Sequence, residues 1–240
     1  MPSFLFFAVT WAGMAPEQAL ERALDAAEPP PAMRAAFHAT LTAGNAVRRI
    51  EYDPYAEGEK FKLTYSYGSN DELDAVVEGW KAEGQADSRL FADDLHASLA
   101  EARIAGDPNA MMVSFRHRMS NNDGPIDQEF SANMVGKLQL NATTGYLSEI
   151  EYNIDRPVKL DDGKTIDLYQ QTYHFGYSER WGVSYVTGYE LTARGGQWGL
   201  SEERSVKVEL TDIAFGLAGD SEQDLVSKPS PYASLTAKLQ

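Results

Sequence analysis

From Met33 to Phe215 most of the chain reads with a period of two, broken at intervals by short turns rich in glycine, asparagine and aspartate. Successive side chains on a strand point to opposite faces, so each such run has a wet side and an apolar side that must be covered. "MRAAFHATLTA" and "AVRRIEYDP" read as a strand pair joined near Gly44-Asn45, and "EKFKLTYSYG" as a third strand with Phe61, Leu63, Tyr65 and Tyr67 on one side. Further strands follow in "AMMVSFRHRMS", in "EFSANMVGKLQL" up to the turn "NATTG", in "YLSEIEYNI", and in "RPVKL" up to the "DDG" at Asp161 to Gly163. "KTIDLYQQTYHFGY", "WGVSYVTGYELT" with a glycine turn at Gly195-Gly196, and "ERSVKVELTDIAF" complete the series. About nine to eleven strands without alternating βα units predict an α+β fold: a strongly curved antiparallel sheet or half-open β-barrel with covering helices.

The helices are few. "PEQALERALDAA" spaces Ala19, Leu20, Ala23, Leu24 and Ala27 at helical intervals, and the prolines of "EPPP" stop it. Between Ser69 and Gly106 the period becomes helical again. Ser69 and Glu72 have capping-box spacing ahead of the stripe Leu73, Val76, Val77 and Trp80, and a second stripe holds Leu90, Phe91, Leu95, Leu99 and Ala102. Residues 69–106 are therefore expected to form a helical lid. The domain is expected to run from 16 to 215, followed by a weakly ordered tail over 216–240. The opening "MPSFLFFAVTWAGMA" has an apolar run and then small residues, so 1–15 reads as a signal peptide. A buried N-terminal strand is the alternative.

With 36 acidic against 21 basic residues the formal net charge is -15, which repels phosphate backbones and anionic lipid headgroups. Nucleic acid is not expected as a partner, nor is a stable membrane anchor. The chain has no cysteine, which excludes thiolate nucleophiles, zinc-thiolate sites and disulfides. The four histidines, His38, His96, His117 and His174, show no ligand spacing along the chain, so no metal site is expected. Neither a GxSxG elbow nor a phosphate-binding glycine loop occurs, and no carboxylate pair stands out. No cofactor and no catalytic residues are expected, and the chain is read as a non-enzyme.

Aromatic and methionine side chains do recur at alternating strand positions. Tyr169, Tyr173, Phe175 and Tyr177 share one stripe, Trp181, Val183, Tyr185, Tyr189 and Leu191 a second, and Met111, Val113, Phe115 and Met119 a third, with His117 facing inward beside them. For any one stripe an ordinary packed core is the simpler reading. Many apolar strand faces under few short helices leave more surface than the helices can cover, which points to a cavity for an apolar ligand. The expected lining is Phe115, Met119, Met134, Leu138, Tyr173, Phe175 and Tyr185, with Trp80 and Leu95 on the lid.

The order of elements, with "EQALERAL", then "MRAAFHATLT", a helical interruption and a long antiparallel run, resembles the periplasmic lipoprotein-carrier superfamily (LolA-like). "GKLQLNATTGYLSEIEYNI" is similar to a later hairpin of that group. "YDPYAEGEKFKLTYSYG" followed by "NDEL" is similar to a segment of uncharacterised envelope proteins, with Phe61 where they often have tryptophan. The resemblance spans residues 16 to 215 by element order, and no lid-locking arginine is matched. It implies a half-open barrel whose helices close over a hydrophobic cavity, in a periplasmic or secreted protein that binds or transports a hydrophobic small molecule, lipid or acylated protein. Two other classes stay open: a module with a solid β core that binds another envelope protein, and an unrecognised hydrolase.

Overall fold

The computed structural model describes residues 14–92, 94–106, 111–119, 130–160, 163–197 and 200–219. Most of the expected signal peptide (1–13) and of the tail (220–240) lies outside them. Helix α1 spans Pro16–Asp25, with proline in its first turn and Glu17 where the helix dipole favours an acid. The strands are β1 (Met33–Ala43), β2 (Ala46–Tyr52), β3 (Phe61–Tyr67), β4 (Leu99–Ala105), β5 (Met112–His117), β6 (Met134–Leu140), β7 (Leu147–Ile154), β8 (Val158–Lys159), β9 (Thr165–Ser178), β10 (Val183–Gln197) and β11 (Leu200–Leu217). Between β3 and β4 lie α2 (Asp71–Glu83), a 3-10 turn at Ala86–Leu90 and the single-turn α3 (Leu95–Ser98).

All pairings are antiparallel, in the order β3-β2-β1-β11-β10-β9-β7-β6-β5-β4, with β8 beside β9. Among the described residues β3 and β4 do not meet, so the sheet is an open one with two edges and not a closed barrel. Register shifts interrupt several ladders. Each adds a residue to one strand, bends it and increases the local twist, which is how a sheet of this width curves. The hairpin turns follow their sequence signals. Gly44 and Gly145 both take left-handed backbone, and Asn141 Oδ1 accepts from the N–H groups of Thr143 and Thr144.

Several elements depart from the sequence reading. The bulge between Arg49 and Ile50 leaves Thr64 without a partner, so the aromatic side of β3 divides. Phe61 and Leu63 stay opposite the inward Tyr52 and Ile50, whereas Tyr65 and Tyr67 pair with Arg49 and Val47 on the other face. The cap of α2 is Asn70, whose Oδ1 accepts from Leu73 N at 2.9 Å, one residue beyond the expected Ser69. Leu99 to Ala105, expected to be helical, is an edge strand: pairing with β5 overrides the helix propensity of "LAEARIA", and Glu101 takes positive φ at the bulge. Gly195 and Gly196 are not a turn but stay in the ladder with Glu202 and Ser201. A side chain on Gly195 would collide with the Thr165 carbonyl where β9 bulges, so close approach explains this glycine.

Three apolar clusters follow. The first joins β1, β2, β10 and β11 to α2 and the 3-10 turn, and includes Phe37, Leu41, Ile50, Leu73, Val77, Trp80 and Leu90. Along β1 the buried positions alternate large and small, Met33, Ala35, Phe37, Ala39, Leu41 and Ala43, and Trp80 meets Phe37 edge-on at 6.3 Å. The second packs Ala19, Leu20, Ala23, Leu24 and Leu95 onto β5, β6 and β7. The third is smaller: Phe130, Met134, Val158 and Tyr169.

Candidate functional site

Between the three clusters runs a row of aromatic side chains. Phe115 on β5 meets Tyr152 on β7 edge-on at 5.7 Å, Tyr152 meets Tyr173 on β9 at 6.3 Å, and Tyr173 meets Tyr189 on β10 at 5.5 Å. Gly136 of β6 lies directly opposite both Phe115 and Tyr152, and a Cβ there would overlap the Phe115 ring. Glycine is thus what lets the ring lie across β6 and continue the row. Phe115 is sealed beneath α1, but Tyr152, Tyr173 and Tyr189 are only partly buried, as are Leu191 and Ala193 further along β10. Tyr173 and Phe175 touch both large clusters, and Tyr152 touches the second and third. The row forms a floor, apolar in its rings and polar at its hydroxyls: Gln171 Nε2 donates to the Tyr173 hydroxyl at 2.6 Å, and the Tyr169 hydroxyl donates to Gln171 Oε1 at 3.3 Å. His117 does face inward, its ring edge-on to Tyr152 at 5.6 Å.

The nine residues expected to line a cavity do not share one environment. Tyr173 and Phe175 stand on or beside the floor. Phe115, Leu138 and Leu95 belong to the packed cluster under α1, Trp80 to that under α2 and Met134 to the third. Tyr185 is turned away from Tyr189 by the bulge at Thr187: it lies opposite Gly176 and meets Phe215 edge-on at 5.1 Å. Met119, past the end of β5, is 60% exposed. Sequence reasoning missed Tyr152 and Gln171. Tyr152 does alternate with Ile150 and Ile154, a signal that could have found it, whereas a glutamine among tyrosines gives none.

The helices are held over the sheet by polar contacts at their rims. Arg48 of β2 is 3% exposed; its Nε donates to Asp74 of α2 at 2.7 Å, and its Nη atoms donate to the carbonyls of Val47, Tyr67 and Gly68. The Arg48 hydrogen bond holds the Asp74 carboxyl below its usual range. Asp87, buried in the 3-10 turn, accepts from Ala35 N at 3.2 Å, beyond the reach of β2, and from the Tyr52 hydroxyl at 3.3 Å. Burial, then the Asp87 charge, push the Tyr52 hydroxyl up. At α1, Arg22 Nε donates to the Tyr146 hydroxyl at 3.2 Å, and Tyr146 stacks on Tyr177 with centroids 3.6 Å apart. The Ala26 carbonyl accepts from Ser184 N at 2.6 Å, on the stretch of β10 that precedes its pairing with β11.

Two other groupings concern small ligands. A depression of about 200 Å3 is lined by His174, Thr187, Gly188, Glu190, Lys207 and Glu209, together with Val208 and Tyr189 of the floor. Lys207 is 3.2 Å from both Glu190 and Glu209, an ordinary exposed ion-pair cluster. Among the described residues one set of three side chains could hold a metal, Glu21 and Asp25 of α1 with His96 of α3. No helix of the described residues is long and apolar enough to cross a membrane. No protein-family model, curated protein or solved structure matches the chain.

Proposed function

We propose that this protein is a non-enzymatic carrier or binder of a hydrophobic ligand, a lipid chain or acylated protein, in the bacterial cell envelope, as a periplasmic or secreted protein of LolA-like type. The observation that carries this reading is the tyrosine floor, left partly exposed between two fully buried clusters, each with its own helix. Apolar rings with a few placed hydroxyls make a surface for a chain with a polar end. Entry requires α1 to move, because α1 and α3 close the side of the floor next to Phe115. The test is native mass spectrometry of gently purified protein followed by solvent extraction. Co-purifying lipid that is lost in Tyr173→Asp supports the carrier. A protein that is empty, and that also takes up no added phospholipid, contradicts it.

A second reading, a docking module for another envelope protein, is favoured by β3 alone. It is a sheet edge on which Leu63, Tyr65 and Tyr67 are exposed, and an unpaired edge is a template for strand addition. A single stoichiometric protein partner that is lost in Tyr67→Asp would support it over the carrier.

A further inference from the structure

Helix α1 carries two acids, Glu21 and Asp25, near its end, with Arg22 between them in sequence engaged by the Tyr146 hydroxyl. Glu21 and Asp25 stand four residues apart, hence side by side on one edge of the helix, where like charges repel. Asp25 is also the last residue of α1, at the end where the helix dipole disfavours an anion. Across from them, His96 of α3 points Nε2 at Asp25 from 3.4 Å, and that nitrogen is shielded from solvent without a hydrogen-bond partner. Nε2 can face the carboxylates as an N–H or, with its lone pair forward, through a metal ion bound between them. The ligand atoms of Glu21, Asp25 and His96 all lie within 4.8 Å of one another. Two ligands of one tetrahedral zinc stand about 3.3 Å apart, close to the spacing of His96 and Asp25.

We infer that Glu21, Asp25 and His96 form a binding site for a divalent transition metal. One imidazole nitrogen with two carboxylates selects zinc or its neighbours, cobalt, nickel and copper, over magnesium and calcium, which prefer oxygen alone. Three protein ligands leave a position for water. The net charge of -15 raises the local cation concentration. Because the ligands come from two helices that share one apolar cluster, the ion would clip α1 to α3. The inference rests on these three side chains and is independent of what the floor binds. Spacing along the chain could not reveal it, since His96 is far in sequence from Glu21 and Asp25.

The test uses the full chain freed of metal with EDTA and titrated with zinc chloride by calorimetry. Cobalt absorption reports the ligand set. The expected result is one zinc per chain, binding at least about 10-fold weaker in both His96→Gln and Asp25→Asn, with slower hydrogen exchange in α1 on adding zinc to wild type only. Side chains 30% (His96) and 69% (Asp25) exposed can be exchanged without opening the core, and far-UV circular dichroism checks this. Absence of saturable binding would overturn the site and leave His96 and Asp25 as ordinary neighbours. Zinc binding undiminished in both variants would also overturn it, by placing the ion elsewhere.

Discussion

Helix α2 is fixed over β1 and β2 by a large side chain and a buried cation: Trp80, 1% exposed against Phe37, and Arg48, which joins Asp74 to the carbonyls closing β3. Helix α1 is fixed over β5, β6 and β7 by alanines and leucines, with Arg22 on Tyr146 part-buried at the rim and one backbone bond, from Ser184 N to the Ala26 carbonyl, at its end. The difference teaches which cover can lift. Removing α2 strands a buried guanidinium and a tryptophan-sized hole, while lifting α1 exposes smaller side chains and breaks contacts that water can replace. The floor lies between the two covers, and the weaker of them, α1, closes its Phe115 side.

Changes to α2 should therefore cost the whole fold, and changes to the α1 rim should alter only local opening. Trp80→Ala is expected to have the largest effect, about 3–5 kcal/mol of global stability by urea unfolding, because the site is sealed and the cavity cannot collapse. Arg48→Ala follows at about 2–3 kcal/mol, from lost charge-assisted bonds and the carbonyls left behind. It should also flatten the acid limb of the stability profile. Asp74 has a folded value below its unfolded one, so its contribution is complete above the unfolded value and is lost as pH falls through the folded one. An acid limb unchanged in Arg48→Ala would count against that hydrogen bond. The smallest global effect is expected for Tyr146→Phe, about 1 kcal/mol or less. In that variant hydrogen exchange should quicken in α1 but not in α2. Equal quickening in both helices would erase the contrast between them.

Much of this architecture was legible because strand alternation and turn chemistry are local. "MRAAFHATLTA" is β1 to the residue, and "NATTG" is the turn it resembles, since Asn141 makes its own bonds to the following amides. What was not legible depends on partners distant in sequence. A single unpaired residue, Thr64, sends Tyr65 and Tyr67 to the far face, and another at Thr187 separates Tyr185 from Tyr189. Strand parity holds only as far as the next bulge, and bulges are set by the neighbouring strand. The same limit applies to the site: parity placed Leu138 and Tyr173 facing the helices alike, but only the position of α1 decides that Leu138 is sealed and Tyr173 is not.

The claim that the tyrosine floor is the binding surface is tested most directly by titrating a fluorescent fatty acid into the wild type, Tyr189→Asp on the floor and Tyr67→Asp on the β3 edge. Melting of each variant is checked first, and Tyr152→Ser stands in if Tyr189→Asp is unfolded. The expected result is saturable binding by the wild type and by Tyr67→Asp, and binding weakened at least about 10-fold in the floor variant, since a buried unpaired carboxylate would face the chain. Binding that survives on the altered floor but disappears with Tyr67→Asp would contradict the account and move the functional surface to the sheet edge.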